Sequence, residues 1–265
     1  MECFDVFLES MKDIDLISEA AEIGQMSKIA GERVKGNALA RSGYVLLCGY
    51  FEGFLRDLIS EYVDGINDAK VQVGQMPDHL LHSAISDVLC QEPPEKSVTR
   101  VKTSILANTH LAVNAKKHSK TGGNPTVDNV EALFSALGFP SVIDTLSIQD
   151  FQVTSTFVSE SQVSALMKAS IESTLQATHI SDPETVIAEL VELIDAQWSP
   201  KKKRRKIGYV SAIEELLKRR NRIAHGEGRE PIAVQDLKDS AKFVNQLCMG
   251  LHSILLKQLT SLAPA

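Results

Sequence analysis

Among the 265 residues, the pair whose types and spacing suit chemistry is Arg220 and His225, in the segment RNRIAHG from Arg220 to Gly226. A permanently charged guanidinium beside a titratable imidazole, with no metal ligands around them, suits phosphodiester chemistry on RNA. The histidine can move a proton to or from a 2′-hydroxyl or a leaving 5′-oxygen, and the arginine can stabilise the pentacoordinate phosphate. A plainer reading of the same residues stays open. A histidine before a capping glycine can simply bond the last helix carbonyls, and an arginine on a packing face can pair with a core glutamate.

The element that must position them is a helix over Val210 to Ala224. Its apolar stripe is Ile213, Leu216, Leu217, Ile223 and Ala224, and the position completing that stripe is Arg220. Asn221 lies on the same flank. Lys218, Arg219 and Arg222 point away, where Glu214–Lys218 and Glu215–Arg219 form i,i+4 surface pairs worth about a few tenths of a kcal/mol. Arg220 is the exception, a permanent cation aimed at the packing side. An unpaired buried charge is costly, so it requires a carboxylate, an anionic ligand or a second subunit. Gly226 reads as the residue just past the helix end. His225 then sits at the negative end of the helix dipole, complementary to an imidazolium.

The charge of the chain is concentrated around this helix. Ser199 to Arg229 holds eleven Lys/Arg against three acids, a balance of +8; the remaining residues, with seventeen bases and thirty-one acids, stand at −14, and the whole averages to −6. Within the basic segment, SPKKKRRK (Ser199 to Lys206) is expected to be a mobile loop that does not pack. Lys201, Lys202, Lys203, Arg204, Arg205 and Lys206, with Arg222, are candidate contacts to RNA phosphates. A merely solvated loop is the alternative, and PKKKRRK also resembles a nuclear-import signal. The acidic N-terminal start has no apolar secretory core, and Tyr44 to Phe51 is too short to span a bilayer, so a cytoplasmic protein without membrane association is expected. Cys3, Cys48, Cys90 and Cys248 lie far apart, without a CxxC pair or a disulfide framework. The other histidines show no ligand spacing, and no metal or cofactor is expected. Gly31 and Gly36 have phosphate-loop spacing, but Asn37 stands where a lysine must be. Neither a dinucleotide-binding glycine motif, a zinc-protease motif nor a nucleophile elbow is present.

The rest of the chain reads as helices. Val234, Leu237, Ala241, Val244, Cys248, Leu251 and Leu255 form an apolar stripe at alternating steps of three and four, opened by Pro231. A long helix is expected over about Lys28 to Val63, on Tyr44, Leu47, Phe51, Phe54 and Leu58. Others are expected near 3–25 and 77–90, over Val127 to Leu137, and over Pro183 to Ala196 with Asp182 as cap. Gln91 to Pro125 interrupts this pattern as an insertion whose middle can hold a helix, and Phe151 to Val158 can form a short strand but not a sheet. The expectation is one all-α domain over residues 1–265, with an insertion at about 91–125 and a basic loop at 199–206.

RNRIAHG resembles the R-x4–6-H signature of the HEPN superfamily, including the polar Asn221 directly after the arginine and the placement before the final long helix. Arg41 to Leu58, RSGYVLLCGYFEGFLRDL, is similar to the opening helix of the RiboL-PSP and MAE-type clades of RNase-type HEPN domains. Gly123 to Phe139, GNPTVDNVEALFSALGF, resembles what those clades carry between their two blocks. The resemblance touches the chain from about Gly36 to Leu259. It implies an all-α up-and-down bundle with loop insertions that dimerises, two R-x4–6-H motifs meeting in a cleft. It further implies an endoribonuclease that needs no metal and leaves a 2′,3′-cyclic phosphate and a 5′-hydroxyl, often a toxin or antiviral effector restrained by a partner protein. Carried over by position, Arg220 and His225 are the catalytic pair and Asn221 assists. Glu52, in the matching FEGF block, can orient either of them across the bundle, or can simply pair with Arg56. The alternative function is a non-catalytic helical module binding RNA, a nucleotide or a protein partner. A third is a scaffold built on the stripe of residues 234–255.

Overall fold

The computed structural model describes residues 2–153, 157–198, 201–226 and 232–262. Helix α1 (Cys3–Met26) turns within three residues into α2 (Ala30–Asp68), and the two run antiparallel, with the Tyr50 hydroxyl donating to the Asp13 carboxylate at 2.7 Å. The far end of this hairpin is fixed by Glu61, which accepts from the backbone N–H groups of Glu2 and Cys3 at 2.6 and 3.1 Å. Those are donors a helix start leaves without an intrahelical partner. The stripe predicted on α2 is the centre of the protein: Tyr44, Leu47, Phe51 and Leu58 are fully buried and Phe54 nearly so, and the structure extends the stripe to the fully buried Tyr62.

Helices α3 (Asp78–Gln91), α4 (Pro94–Leu106) and the single turn α5 (Ala115–His118) follow. The interval expected as an insertion therefore carries two helices, and it adds Leu111 and Val113 to the core. It is tied to α2 by Asn67, whose side-chain amide donates to the Val113 carbonyl and accepts from the Val113 N–H, both at 2.9 Å. Next come α6 (Val127–Ser135), capped by the Thr126 hydroxyl accepting from the Asn129 N–H, and α7 (Val142–Phe151).

Strand β1 (Phe157–Glu160), helices α8 (Ala165–Ala177) and α9 (Pro183–Trp198), and strand β2 (Lys201–Arg204) form one excursion from the bundle. Asp182 caps α9 as expected, accepting from the Thr185 N–H at 3.3 Å. Neither α8 nor α9 has a buried residue. The two strands pair antiparallel, with Phe157 opposite Arg204 and Glu160 opposite Lys201. Residues 201–204 of the expected basic loop are therefore a strand. A strand next to a partner satisfies the backbone of KKKR through the ladder, and alternation lets successive cations point to opposite faces.

Helix α10 (Gly208–Ala224) packs on α2, α6 and α7, and the last helix, α11 (Val234–Leu262), packs on α1 and α2. All seven stripe residues of α11 from Val234 to Leu255 are buried. The stripe is thus used within the chain and offers no coiled-coil seam to a second one, which removes the basis of the scaffold reading. Pro231, expected to open this helix, lies outside the described residues. Cys48 and Cys248 are buried free thiols on the helical faces where they were expected.

Candidate functional site

Both ends of α10 are set by a glycine in a left-handed conformation. Gly208 has φ +54 and lies so close to α7 that a Cβ there would meet the Ser147 Oγ at 2.9 Å. The next residue, Tyr209, is fully buried, its N–H donating to that Oγ at 3.1 Å and its hydroxyl to Asp150. At the other end His225 is the capping residue, its N–H donating to the Asn221 carbonyl at 2.9 Å, and Gly226 follows at φ +70. Only glycine adopts such a backbone without strain. The helix carrying the RNRIAHG motif therefore begins and ends where sterics dictate, and Ile213, Leu216 and Leu217 anchor it from below. Ala224, expected to continue their stripe, is exposed.

The cations of this helix divide differently from the sequence expectation. Arg219 keeps its surface pair with Glu215 at 2.8 Å, yet it also reaches inward. Its Nη1 donates to Asp236 on α11 at 2.7 Å and to the Tyr44 hydroxyl on α2 at 3.1 Å, with the guanidinium 5.7 Å from the centre of the Tyr44 ring. The Tyr44 hydroxyl in turn shares a hydrogen bond with Ser240 at 3.1 Å. Arg219 is thus a clamp joining three helices, not a surface decoration. Glu214, expected beside Lys218, pairs instead with Lys206 at 2.8 Å.

Arg220 is half-buried, and among the described residues it has no carboxylate partner. Its Nη1 donates to the Asn221 Oδ1 at 3.0 Å. Its charge also reaches the Cys48 thiol on α2; burial pushes that thiol up to about 12, and Arg220 opposes the shift. Asn221 and His225 line a cavity of about 800 Å³, together with Lys218, Arg222 and, from the ribbon, Phe157 and Arg204. His225 is exposed at its mouth. Arg220 is not among the lining residues, so the structure links it to the cavity through Asn221. With the Oδ1 taken by the guanidinium, the Asn221 amide nitrogen remains to donate into the cavity.

The basic ribbon has two kinds of member. Arg204 is held in place: its guanidinium lies 4.8 Å from the centre of the Phe157 ring and 3.7 Å from the carboxylates of both Asp128 and Glu131. Lys203 sits 3.8 Å from Glu160, and Lys206 is engaged by Glu214. Arg205 is exposed. The side chains of Lys201 and Lys202 lie outside the described residues, although their backbone belongs to β2. Glu52 is distant from this arrangement in its bonding: it accepts from the Thr121 hydroxyl at 3.0 Å, while Arg56 bonds Asp57. Among the described residues neither Arg220, His225 nor Arg56 is hydrogen-bonded to Glu52, although the charge of Glu52 acts on Arg56.

Sequence reasoning missed Phe157, Lys218 and Arg219. The only signal for Phe157 was its place in a β-favouring run, and nothing local marks Arg219 apart from Lys218. Among the described residues, no group of three His, Cys, Asp or Glu is arranged to hold a metal ion, and no helix is long and apolar enough to cross a membrane. The family model described as RiboL-PSP-HEPN matches residues 9–257. No curated protein and no solved structure matches the chain.

Proposed function

The chain belongs to the RiboL-PSP-HEPN family, and on that premise we propose that it is an endoribonuclease acting at the C-terminal end of α10. Membership itself carries a nuclease-like or RNA-related function; the reaction is our reading. The observation that supports it best is that Arg220, half-buried and with no carboxylate partner among the described residues, is bonded to Asn221, which shares a cation-rimmed cavity with His225. His225 takes the proton of the attacking 2′-hydroxyl or delivers one to the leaving 5′-oxygen. The O2′–P bond forms as the P–O5′ bond breaks, leaving a 2′,3′-cyclic phosphate and a 5′-hydroxyl. The Asn221 amide and the Arg220 guanidinium stabilise the charge on the phosphate oxygens, and Lys218 and Arg222 draw the backbone in. No step requires a metal or a cofactor.

We also propose that the enzyme works as a homodimer, a second α10 completing the surroundings of Arg220, and that a partner protein restrains it as a toxin or antiviral effector. The competing reading is a binding module. The placement of Arg220 beside the cavity and not on its wall favours it. One assay separates the two. Wild type, Arg220→Ala and His225→Ala are incubated with total RNA in EDTA, and the product ends are mapped. Cleavage by wild type alone, leaving cyclic phosphates, is the expected result. Intact RNA under conditions where RNA binding is demonstrated would sink the enzyme and leave the module.

A further inference from the structure

We infer that the cavity beside His225 is a subsite for an unpaired nucleobase, with the Phe157 ring of the ribbon as its stacking wall. The inference rests on RNA being the ligand, and it goes beyond the cleavage reading by naming the form of RNA recognised. At about 800 Å³ the cavity lies within the roughly 300–1,000 Å³ common to small-molecule sites. Its floor is apolar, from the buried Ile213 and Leu217, and one wall is aromatic. A phosphate alone has no use for such surfaces; a flat, partly polar base does, since every base presents a π-face to an aromatic ring. The polar groups suit the rest of a nucleotide. Asn221 offers an amide to a base edge or a phosphate oxygen, and Lys218 and Arg222 stand where the backbone would pass.

Two acids also line the cavity, and neither leaves it anionic. Asp128 lies 3.7 Å from Arg204, and Glu214 is taken by Lys206. Arg204 further places a cation against the Phe157 ring, and it is itself held by Glu131, a carboxylate 13% exposed that also accepts from the Ile143 N–H. The guanidinium thus lies over one face of the ring, and the base would stack on the other. A base paired inside a duplex cannot enter a cavity of this kind, so the site selects single strands, loops or bulges.

The test uses the full chain carrying His225→Ala, so that RNA stays intact, and reads affinity by fluorescence anisotropy at fixed salt. The probes are a single-stranded oligoribonucleotide, the same strand with abasic positions, and the corresponding duplex. We expect the base-bearing strand to bind about tenfold more tightly than the abasic one, in line with the stacking of one base. Phe157→Leu, which keeps an apolar side chain and removes the π-face, should abolish that difference, and Phe157→Trp should retain it. Equal affinity for base-bearing and abasic strands, undiminished discrimination in Phe157→Leu, or no RNA binding at all would each overturn the subsite. Cleavage is scored separately in the chain with His225 intact. Base-dependent binding without cleavage leaves the subsite standing and removes the enzyme; cleavage with indifference to the base does the reverse.

Discussion

In the first basic stretch, Lys201 to Lys206, the backbone of residues 201–204 is a strand and three of the six cations lie near acids: Glu160 near Lys203, Asp128 and Glu131 around Arg204, Glu214 on Lys206. In the second, Lys218 to Arg222, a helix distributes its cations around its circumference. Arg219 is drawn inward onto Asp236 and Tyr44, Arg220 is left with Asn221, and Lys218 and Arg222 rim the cavity. Charge density along the chain is similar in the two. What differs is the period of the backbone and the company each cation keeps. A dense run of lysines and arginines therefore says little about which of them meets a ligand; partnership decides it. The lesson is sharpest at the adjacent pair Arg219 and Arg220, where one residue of displacement separates a structural clamp from a cation with no carboxylate partner among the described residues.

That separation can be broken in a single pair of variants. Arg220→Ala should cut RNA cleavage by about a hundredfold or more, the scale of losing one transition-state donor, while the thermal midpoint holds or rises. Arg219→Ala should do the opposite. It strips charged hydrogen bonds from Asp236 and Tyr44 and should cost about 1–3 kcal/mol of stability, with activity per folded molecule retained. Thermal unfolding and initial cleavage rates on the two proteins test both halves. A stable, inactive Arg219→Ala beside an unstable, active Arg220→Ala would exchange the two assignments.

A smaller effect separates members of the ribbon. Arg204→Gln removes the cation against Phe157 and between Asp128 and Glu131, and should cost about 1–2 kcal/mol. Lys203→Gln, whose partner Glu160 is solvent-exposed at 3.8 Å, should stay within about 0.5 kcal/mol of wild type. Urea unfolding decides it, and equal losses in the two would show that Arg204 is as solvated as its neighbour.

How much of this was legible in the sequence depends on what carried the signal. The stripes of α2, α10 and α11 were readable because 3.6-residue periodicity is a local property, and so were the caps at Asp182 and Gly226. Helices α4 and α8 were not placed: α8 buries nothing, α4 buries only Ser97 and Ser104, and a helix without a strong core face leaves little periodicity to read; α7 was missed too, although it buries Val142, Ile143 and Leu146, because its ten residues repeat that face only about once. The ribbon was hidden because its pairing joins residues separated by the whole of α8 and α9. The oddity of Arg220 was legible, since its position completes an apolar stripe. The fate of Arg219 was not, because Asp236 and Tyr44 come from other helices. Glu52 shows the opposite error, a residue in a suggestive block whose hydrogen bond goes to Thr121.

The smallest effect concerns Glu131, which stands behind Arg204. Burial raises its carboxyl above the ordinary value of 4.5, against the lowering influence of the Ile143 N–H and of Arg204. A folded-state value above the unfolded one means that the folded protein binds the proton more tightly. The native state is then relatively favoured at low pH, and stability falls as pH rises from about 4.5 through the raised value, becoming level beyond it. Glu131→Gln, which keeps an acceptor for the Ile143 N–H and carries no proton to lose, should flatten that part of the stability–pH curve. It should also loosen Arg204, whose remaining acid would be the exposed Asp128. Chemical denaturation of both proteins between pH 4 and 7 reads the difference in slope directly. Parallel curves would mean that Glu131 titrates alike in the folded and unfolded chains, and that the support of the ribbon comes from Asp128 and the Phe157 ring.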